Sequence, residues 1–204
     1  MEIKDTYKTI TKPSDEVLFK DKNSKFFGYA FPVTNENDIK NHIESLKKQH
    51  HSARHWCYAY QLGTEKIVYR TNDDGEPSNS AGQPIYGQIQ SFNVTNILIV
   101  IVRYFGGVKL GVGGLIQAYK TAAMIALEKS KIIEKTINND YLITFDYKNM
   151  NKVMRIIKEK QIKIVSQKLD LDCQIQISVR KKDAQPVFDV FNQLYEVKIK
   201  DFND

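Results

Sequence analysis

The segment ILIVIVRYFGGVKLGVGGL occupies positions 97 to 115 and joins an apolar run to a cluster of glycines. Its first six residues, Ile97 to Val102, form an aliphatic run that predicts a buried strand. Five of the ten glycines follow between Gly106 and Gly114. Glycine is needed at this density where the backbone adopts positive φ, or where another group approaches closer than a Cβ allows. The segment therefore predicts a strand, a glycine-rich turn and a helix over about residues 114–132.

The glycine run also predicts an anion site, because such a backbone presents bare N–H groups. Arg103 and Lys109 add positive charge beside it, and the helix dipole would face the same place. Tyr104 and Phe105 stand next to Arg103, where an aromatic ring can stack on a nucleic-acid base. Tyr104 is the ring expected near solvent, because it carries a hydroxyl. The alternative is that the glycines only make a tight, closely packed connection between strand and helix.

The known phosphate loops do not fit this run. A Walker loop would need Lys and Ser or Thr directly after Gly111, but Val112 and Gly113 stand there. A dinucleotide fingerprint that begins at Gly111 finds Ile116 at its third glycine position. Nucleotide hydrolysis and a bound NAD are therefore not expected, and no cofactor is predicted.

Composition bounds the remaining possibilities. The chain has 204 residues, of which 42% are hydrophobic and 26% charged, as is typical of a soluble globular protein. It has no apolar run long enough to span a bilayer, and its polar start lacks the apolar region of a signal peptide, so we expect a cytoplasmic protein without a membrane partner. The net charge of +6 permits an acidic partner such as RNA. Cys57 and Cys173 lack the spacing of a zinc site, so no metal is predicted.

Periodicity predicts a two-domain α+β protein. In the first part, strands are expected at residues 7–11, 26–33, 55–61, 66–71 and 97–102, with a helix at about residues 37–49 before the third strand. A polar, turn-rich passage at residues 131–140 marks the boundary, which gives domains 1–135 and 140–204. The second domain reads as strand, helix, strand, strand, helix and a possible short last strand at residues 197–199. This is the ferredoxin-like pattern, and one face of its sheet is expected to be wet and free to meet a partner.

A second polar cluster runs from Asp73 through Asp74, Gly75 and Glu76 to Pro77. Carboxylates this close could hold a hard cation or divide acid and base roles, but the further ligands of a calcium loop are absent. We favour a third role, in which they pair with Arg54 or Arg103 and orient the arginine toward a ligand. His55 and Cys57 share one face of a predicted strand, where a small buried thiol is the usual outcome. No catalytic residue is predicted.

Five motifs in order give the chain a family resemblance. They are Ser24-Lys25-Phe26, Ala53-Arg54-His55-Trp56-Cys57, Asp73-Asp74-Gly75-Glu76-Pro77, Ala81-Gly82 with Pro84, and Val102 to Leu115 with its glycines. Together they resemble the IMPACT family, and within it the bacterial YigZ-like branch. The match covers about residues 15–130, and the rest resembles the small ferredoxin-like domain of bacterial members.

The resemblance implies a first domain with a left-handed βαβ fold, like domain IV of elongation factor G, and a second domain like domain V of that factor. Both of those domains work on the ribosome. In eukaryotes the family regulates translation through an additional N-terminal domain, for which we see no room in this chain. For bacterial members, nucleic-acid binding has been proposed and no enzymatic reaction is established.

Three functional hypotheses follow. The first is a non-enzymatic protein of translation regulation that binds RNA or the ribosome through phosphate contacts. The second is an enzyme or sensor for a small anionic, phosphorylated metabolite, with Asp74 or Glu76 as acid, base or magnesium ligand. The third is a protein-interaction module of translation control. The sequence gives no expectation for the oligomeric state. The candidate ligand-binding residues are Arg54, His55, Asp73, Asp74, Glu76, Arg103, Tyr104, Gly106, Gly107, Lys109, Gly111, Gly113 and Gly114.

Overall fold

A computed structural model describes residues 4–202 and has the mixed α+β architecture expected from the sequence. The strands are β1 (Thr6–Ile10), β2 (Val17–Asp21), β3 (Ser24–Pro32), β4 (His55–Leu62), β5 (Val68–Asn72), β6 (Ile97–Tyr104), β7 (Ile132–Thr136), β8 (Asn138–Asp146), β9 (Lys163–Leu169), β10 (Asp172–Arg180) and β11 (Val197–Asp201). The helices are α1 (Glu36–Gln49), α2 (Gly82–Ser91), α3 (Gly111–Glu128), α4 (Met150–Glu159) and α5 (Lys181–Asn192), and a short 3₁₀ turn (Tyr147–Asn149) precedes α4.

The chain forms two compact units. One is Tyr7–Lys135, and the other joins Thr136 and the residues after it to the segment that ends at Thr6. The first unit therefore begins at Tyr7 rather than at residue 1. In the second unit the Ile137 N–H donates to the Asp5 carbonyl at 2.7 Å. Within residues 4–202, no helix is both long enough and apolar enough to cross a membrane.

A five-stranded antiparallel sheet in the order β2-β3-β6-β4-β5 organises the first unit. Both β3 and β4 pair antiparallel with β6, so they run parallel to each other and α1 connects them. Along β6, Leu98, Val100 and Val102 pack with α1, whereas Ile97, Ile99 and Ile101 pack with α2 and α3. Because both faces of β6 are covered, the strand is a continuous apolar run rather than an alternating one.

The two longest helices of the first unit agree with their predictions, with shifted ends. The first begins at Glu36, where the Asn35 side chain accepts from the Asp38 N–H. The other begins at Gly111 rather than near Gly114, so three glycines lie in its first turn. It is the better buried of the two, as expected, because its small residues let it lie close to the sheet.

Three elements of the first unit were not predicted. One is β2, which pairs with β3. The second is α2, whose glycines and Pro84 read as a loop. The third is β7, which pairs with β1 in a two-stranded sheet. The passage at residues 131–140 is therefore two strand segments, β7 and the start of β8, and the prediction of a turn-rich passage was wrong.

The second unit contains a four-stranded antiparallel sheet in the order β11-β8-β10-β9. The strands β8 and β9 run parallel because both are antiparallel to β10, and α4 connects them. This is the ferredoxin-like arrangement that the sequence predicted. The predicted short last strand is β11, which pairs with β8. The core has Ile143, Ile175 and Phe191 at its centre, all fully buried.

Candidate nucleic-acid interface

The predicted site residues gather at one end of the five-stranded sheet. Cross-strand register pairs Lys25 of β3 with Tyr104 of β6, and Arg103 with His55 of β4. The glycine-rich loop leaves β6 at this end and meets the turn between β2 and β3. There the Gly106 N–H donates to Ser24 Oγ at 3.2 Å. The loop is thus anchored to the neighbouring strand by its own backbone.

The glycines of the loop divide into two kinds. A Cβ at Gly106 would lie 2.1 Å from the carbonyl carbon of Asn23, so this glycine is required by close packing. By contrast, a Cβ built at Gly107, Gly111 or Gly113 meets no described atom within 4 Å beyond the adjoining residues and the backbone of its own helix. Gly107 and Gly111 have φ of +87° and +75°, a region that other residues rarely adopt. The second kind therefore borders open space, as a backbone that receives a ligand would.

The N-terminus of α3 opens onto the same space. Within residues 4–202 no side chain caps it, and its first turn contains no acidic residue. The first N–H groups of a helix have no partner within the helix and carry partial positive charge. An 18-residue helix with this end exposed attracts an anion.

Five exposed basic residues surround this end of the sheet. Arg54 and Lys109 were predicted as site residues. Three more, Lys20, Lys22 and Lys25, come from the β2–β3 hairpin and were not singled out from the sequence. None of the five has a carboxylate of the described chain within 4.0 Å. Their charge therefore faces solvent. The signal that could have identified this hairpin was Lys25, which follows Ser24 in a motif already noticed.

Arg103 does not lie on this surface. Its side chain is 6% exposed and forms an ion pair with Glu76, with Nη1 and Oε1 at 2.7 Å. The guanidinium also lies over the rings of Phe26 and Phe105. The pairing of an arginine with the acidic cluster was thus anticipated, but the arginine points into the protein. A contact between Arg103 and a phosphate would require this ion pair to open.

The Glu76 carboxylate belongs to a buried polar cluster. Tyr119 of α3 donates to Glu76 Oε1 at 2.7 Å, and the Cys57 thiol lies 3.3 Å from the Tyr119 hydroxyl. Burial is the largest cause of the raised pKa of both Cys57 and Tyr119. The thiol is fully buried, as its strand pattern predicted. In this state Cys57 is a packed, uncharged group.

Asp73 and Asp74 shape the backbone. The Asp73 Oδ1 atom accepts from the N–H groups of Ala81 and Gly82 at 2.9 and 2.8 Å, and so binds the start of α2. Asp74 Oδ2 accepts from the Trp56 N–H at 2.7 Å, and the Asp74 carbonyl lies 2.8 Å from His55 Nδ1. These contacts hold the acidic loop against β4.

No group of three or more His, Cys, Asp or Glu side chains able to hold a metal is found in residues 4–202.

On the α1 face of the sheet, His50 links two tyrosines. Its Nε2 lies 2.6 Å from the Tyr29 hydroxyl and its Nδ1 lies 3.0 Å from the Tyr104 hydroxyl. Tyr29 in turn donates to Glu16. Burial lowers the pKa of His50, and the charge of Glu16 partly offsets this. Tyr104 is therefore half-buried and occupied by His50, whereas we expected it near solvent. The exposed ring beside the loop is Phe105, which is 45% exposed.

A profile of the Impact N-terminal domain matches residues 22–127. The IMPACT family member YvyE of Bacillus subtilis is 32% identical over 156 residues, which cover 76% of this chain and 71% of that protein. The IMPACT family member YigZ of Escherichia coli is 31% identical over 147 residues, covering 71% and 72%. The motifs noted in the sequence thus occur within a similarity that spans most of both relatives.

Two solved structures complete the comparison. A crystal structure described only as that of a hypothetical protein covers 98% of both chains with a TM-score of 0.72 at 23% identity, and so shares the fold. A match to a structure of the two-domain translational regulator Yih1 covers 58% of this chain and 46% of that one, at 23% identity and a TM-score of 0.38. From the domain match and the relatives, we conclude that this chain belongs to the IMPACT family.

Proposed function

We propose that the chain binds structured RNA of the translation machinery through the end of its first sheet. The phosphate contacts come from Lys22, Lys25, Arg54 and Lys109, together with the backbone N–H groups of the glycine-rich loop and of the first turn of α3. Arg103 supports the loop from inside instead of touching the ligand. The translation context rests on the family resemblance.

One observation carries the proposal. Five exposed cations without carboxylate partners among the described residues surround an uncapped helix N-terminus and glycines that border open space. Like charges repel when gathered without counter-charges, and an anionic partner relieves that repulsion. The carboxylates that could have done so, Asp73, Asp74 and Glu76, are held by backbone amides and by Arg103.

Contacts of this type carry little sequence information. Lysine and backbone N–H groups recognise phosphate charge, and each phosphate neutralised releases counterions. We therefore expect affinity to fall steeply as salt increases, and to differ little between RNAs of similar shape.

The test is binding of labelled transfer RNA across a salt series, measured by fluorescence anisotropy. The triple variant Lys25→Ala, Arg54→Ala, Lys109→Ala should weaken binding and lower the slope of log affinity against log salt by about two to three. The matched control replaces Lys66, Lys129 and Lys131 with alanine. These exposed lysines lie away from the glycine-rich loop and form no ion pair within residues 4–202.

Both triple variants remove three positive charges, so their comparison separates the loss of a specific site from a general effect of net charge. Equal losses in the two triple variants would refute the site, because net charge alone would then account for binding. Absence of binding by the unmodified protein at low salt would refute the proposed function as a whole.

A second candidate function is supported by apolar residues beside the loop. Val108 and Val112 are 47% and 53% exposed, and Ile116 follows on the same side of α3. Exposed apolar residues grouped this way fit a protein partner of the translation machinery. Association that persists at high salt and is lost in Val112→Asp would favour this candidate over RNA.

A further inference from the structure

A groove of about 690 Å³ lies beside α4 in the second unit. One face of the helix lines it with residues at the i, i+3, i+4 and i+7 positions, which are Asn151, Met154, Arg155 and Lys158. Ile157, Gln161 and Ile162 complete the lining. The groove is wide open to solvent, whereas sites for small molecules enclose most of the ligand. Its shape therefore suits a segment of another chain.

The floor of this α4 groove is apolar. Ile157 is buried there, and Met154 and Ile162 are half-buried and pack against the core of the unit. Methionine is flexible and polarisable, so Met154 can adapt to apolar side chains of different shapes. None of the seven lining residues is aromatic. The floor therefore suits aliphatic side chains and offers no ring on which a nucleic-acid base could stack.

The rim of the α4 groove is cationic. Between Met150 and Lys163 the chain has five basic residues and one acidic residue, Glu159. Glu159 Oε1 lies 3.7 Å from Arg155 Nε, and both side chains are mostly exposed, so this ion pair contributes little. Lys158 forms no ion pair within residues 4–202. The rim therefore carries positive charge that an acidic partner can neutralise.

The floor and the rim together select one class of partner. A partner that fits must bury aliphatic side chains and place carboxylates beside them. RNA supplies the negative charge, but its bases find no aromatic ring in the groove. An amphipathic helix with acidic residues beside its apolar stripe supplies both features, and helices of this kind bind in apolar grooves of other proteins.

We propose that the α4 groove binds an acidic amphipathic helix of a protein partner. The apolar stripe of that helix lies on Met154, Ile157 and Ile162, and its carboxylates face Arg155 and Lys158. Every lining residue belongs to the second unit, whereas the proposed RNA surface belongs to the first. The two proposals can therefore be tested independently.

The test uses the full chain and three labelled synthetic peptides of about 16 residues, which is long enough to form a helix. The first peptide has leucine at the i, i+3, i+4 and i+7 positions and glutamate at most others. The second has the same composition, with the leucines spread around the helix, and the third has lysine in place of glutamate. Fluorescence anisotropy should show that the first peptide binds at least about tenfold more tightly than either of the others.

A charge-reversal variant assigns this binding to the rim. Arg155→Glu combined with Lys158→Glu should weaken binding of the acidic peptide about tenfold or more and strengthen binding of the lysine peptide. The matched control combines Lys198→Glu with Lys200→Glu. It makes the same change of charge at exposed positions of β11, the edge strand on the other side of the sheet from β9. Both affinities should stay within about twofold of the unmodified protein in this control.

A second variant tests the floor. Met154→Gln replaces an apolar side chain with a neutral one of similar size, and should weaken binding of the acidic peptide about fivefold or more. This loss should persist at high salt, because salt does not screen an apolar contact. Circular dichroism of each variant checks that the second unit is folded.

Three results would overturn the inference. One is equal binding of the ordered and the scrambled acidic peptide, or no binding of either. Another is an equal response of the charge-reversal variant and its β11 control. The third is a charge-reversal variant that loses transfer RNA binding but keeps the acidic peptide, since the rim would then serve nucleic acid.

Discussion

Arg103 and Lys109 stand in the same short motif, yet their surroundings are opposite. Arg103 is enclosed by Glu76, Phe26 and Phe105, whereas Lys109 is exposed and has no ion pair among the described residues. The same division separates the glycines, since Gly106 is packed against Asn23 and Gly113 faces open space. A motif that reads as one functional unit therefore contains an internal framework and an external surface. The framework holds the loop so that the surface can act.

The largest expected effect comes from breaking the framework. Replacing Glu76 with alanine leaves the buried Arg103 guanidinium without its counter-charge and Tyr119 without its acceptor. Removal of one partner of a buried ion pair costs about 3 to 5 kcal/mol, so the free energy of unfolding should fall by about that amount. Urea denaturation measures it.

Glu128→Ala on the exposed side of α3 is the matched control and should stay within about 0.5 kcal/mol of the unmodified protein. If Glu76→Ala lowers the free energy of unfolding by less than about 1 kcal/mol, water replaces the carboxylate and the ion pair does not hold the loop in place.

A pair of glycine variants tests the division directly. Gly106→Ala places a Cβ against the Asn23 backbone and should destabilise the protein by about 1 to 3 kcal/mol. Gly113→Ala meets no described atom within 4 Å outside its own helix, so it should be neutral or stabilise by about 0.5 kcal/mol. The same Gly113→Ala should weaken transfer RNA binding if the ligand approaches the backbone there. Equal thermal stability of the two variants would contradict the division.

Asp73 is expected to have a smaller effect. Its carboxylate accepts N–H groups at the start of α2, and so acts as a cap contributed from outside the helix. Asp73→Ala should lower the free energy of unfolding by about 0.5 to 2 kcal/mol. RNA affinity measured on the folded variant should stay unchanged. A loss of affinity without a loss of folding would show that Asp73 belongs to the binding surface and not to the internal framework.

The smallest effect concerns pH. Burial lowers the pKa of His50 below its usual 6.5, so the folded state binds this proton less readily than the unfolded state. The neutral ring contributes its full stability above about pH 6.5, and stability should decline as the pH falls from there toward the lower folded-state pKa. In His50→Gln the melting temperature should depend less on pH across this range than in His51→Gln, which changes an exposed neighbour. Identical profiles for the two variants would show that His50 does not titrate on unfolding.

The sequence predicted most strands and the ferredoxin-like sheet of the second unit, because their apolar patterns are local. The uninterrupted run from Ile97 to Val102 predicted β6, and strict alternation predicted β10. It missed α2 because its cap, Asp73, lies outside the helix and because Pro84 and Gly87 read as loop signals. It anticipated that Arg103 pairs with the acidic cluster but placed the arginine at the surface, because a charged residue beside glycines usually is exposed. Only the fold buries the pair with Glu76. It passed over Lys22 because only strand pairing places that hairpin beside Gly106.

The hydrogen bond between Asp5 and Ile137 has a consequence for the order of synthesis. Asp5 leaves the ribosome before any residue of the first unit, but its partners Ile137 and Arg180 follow only after that unit is complete. The first unit can therefore fold while the chain is still growing. Asp5 therefore meets Ile137 and Arg180 only when the second unit emerges.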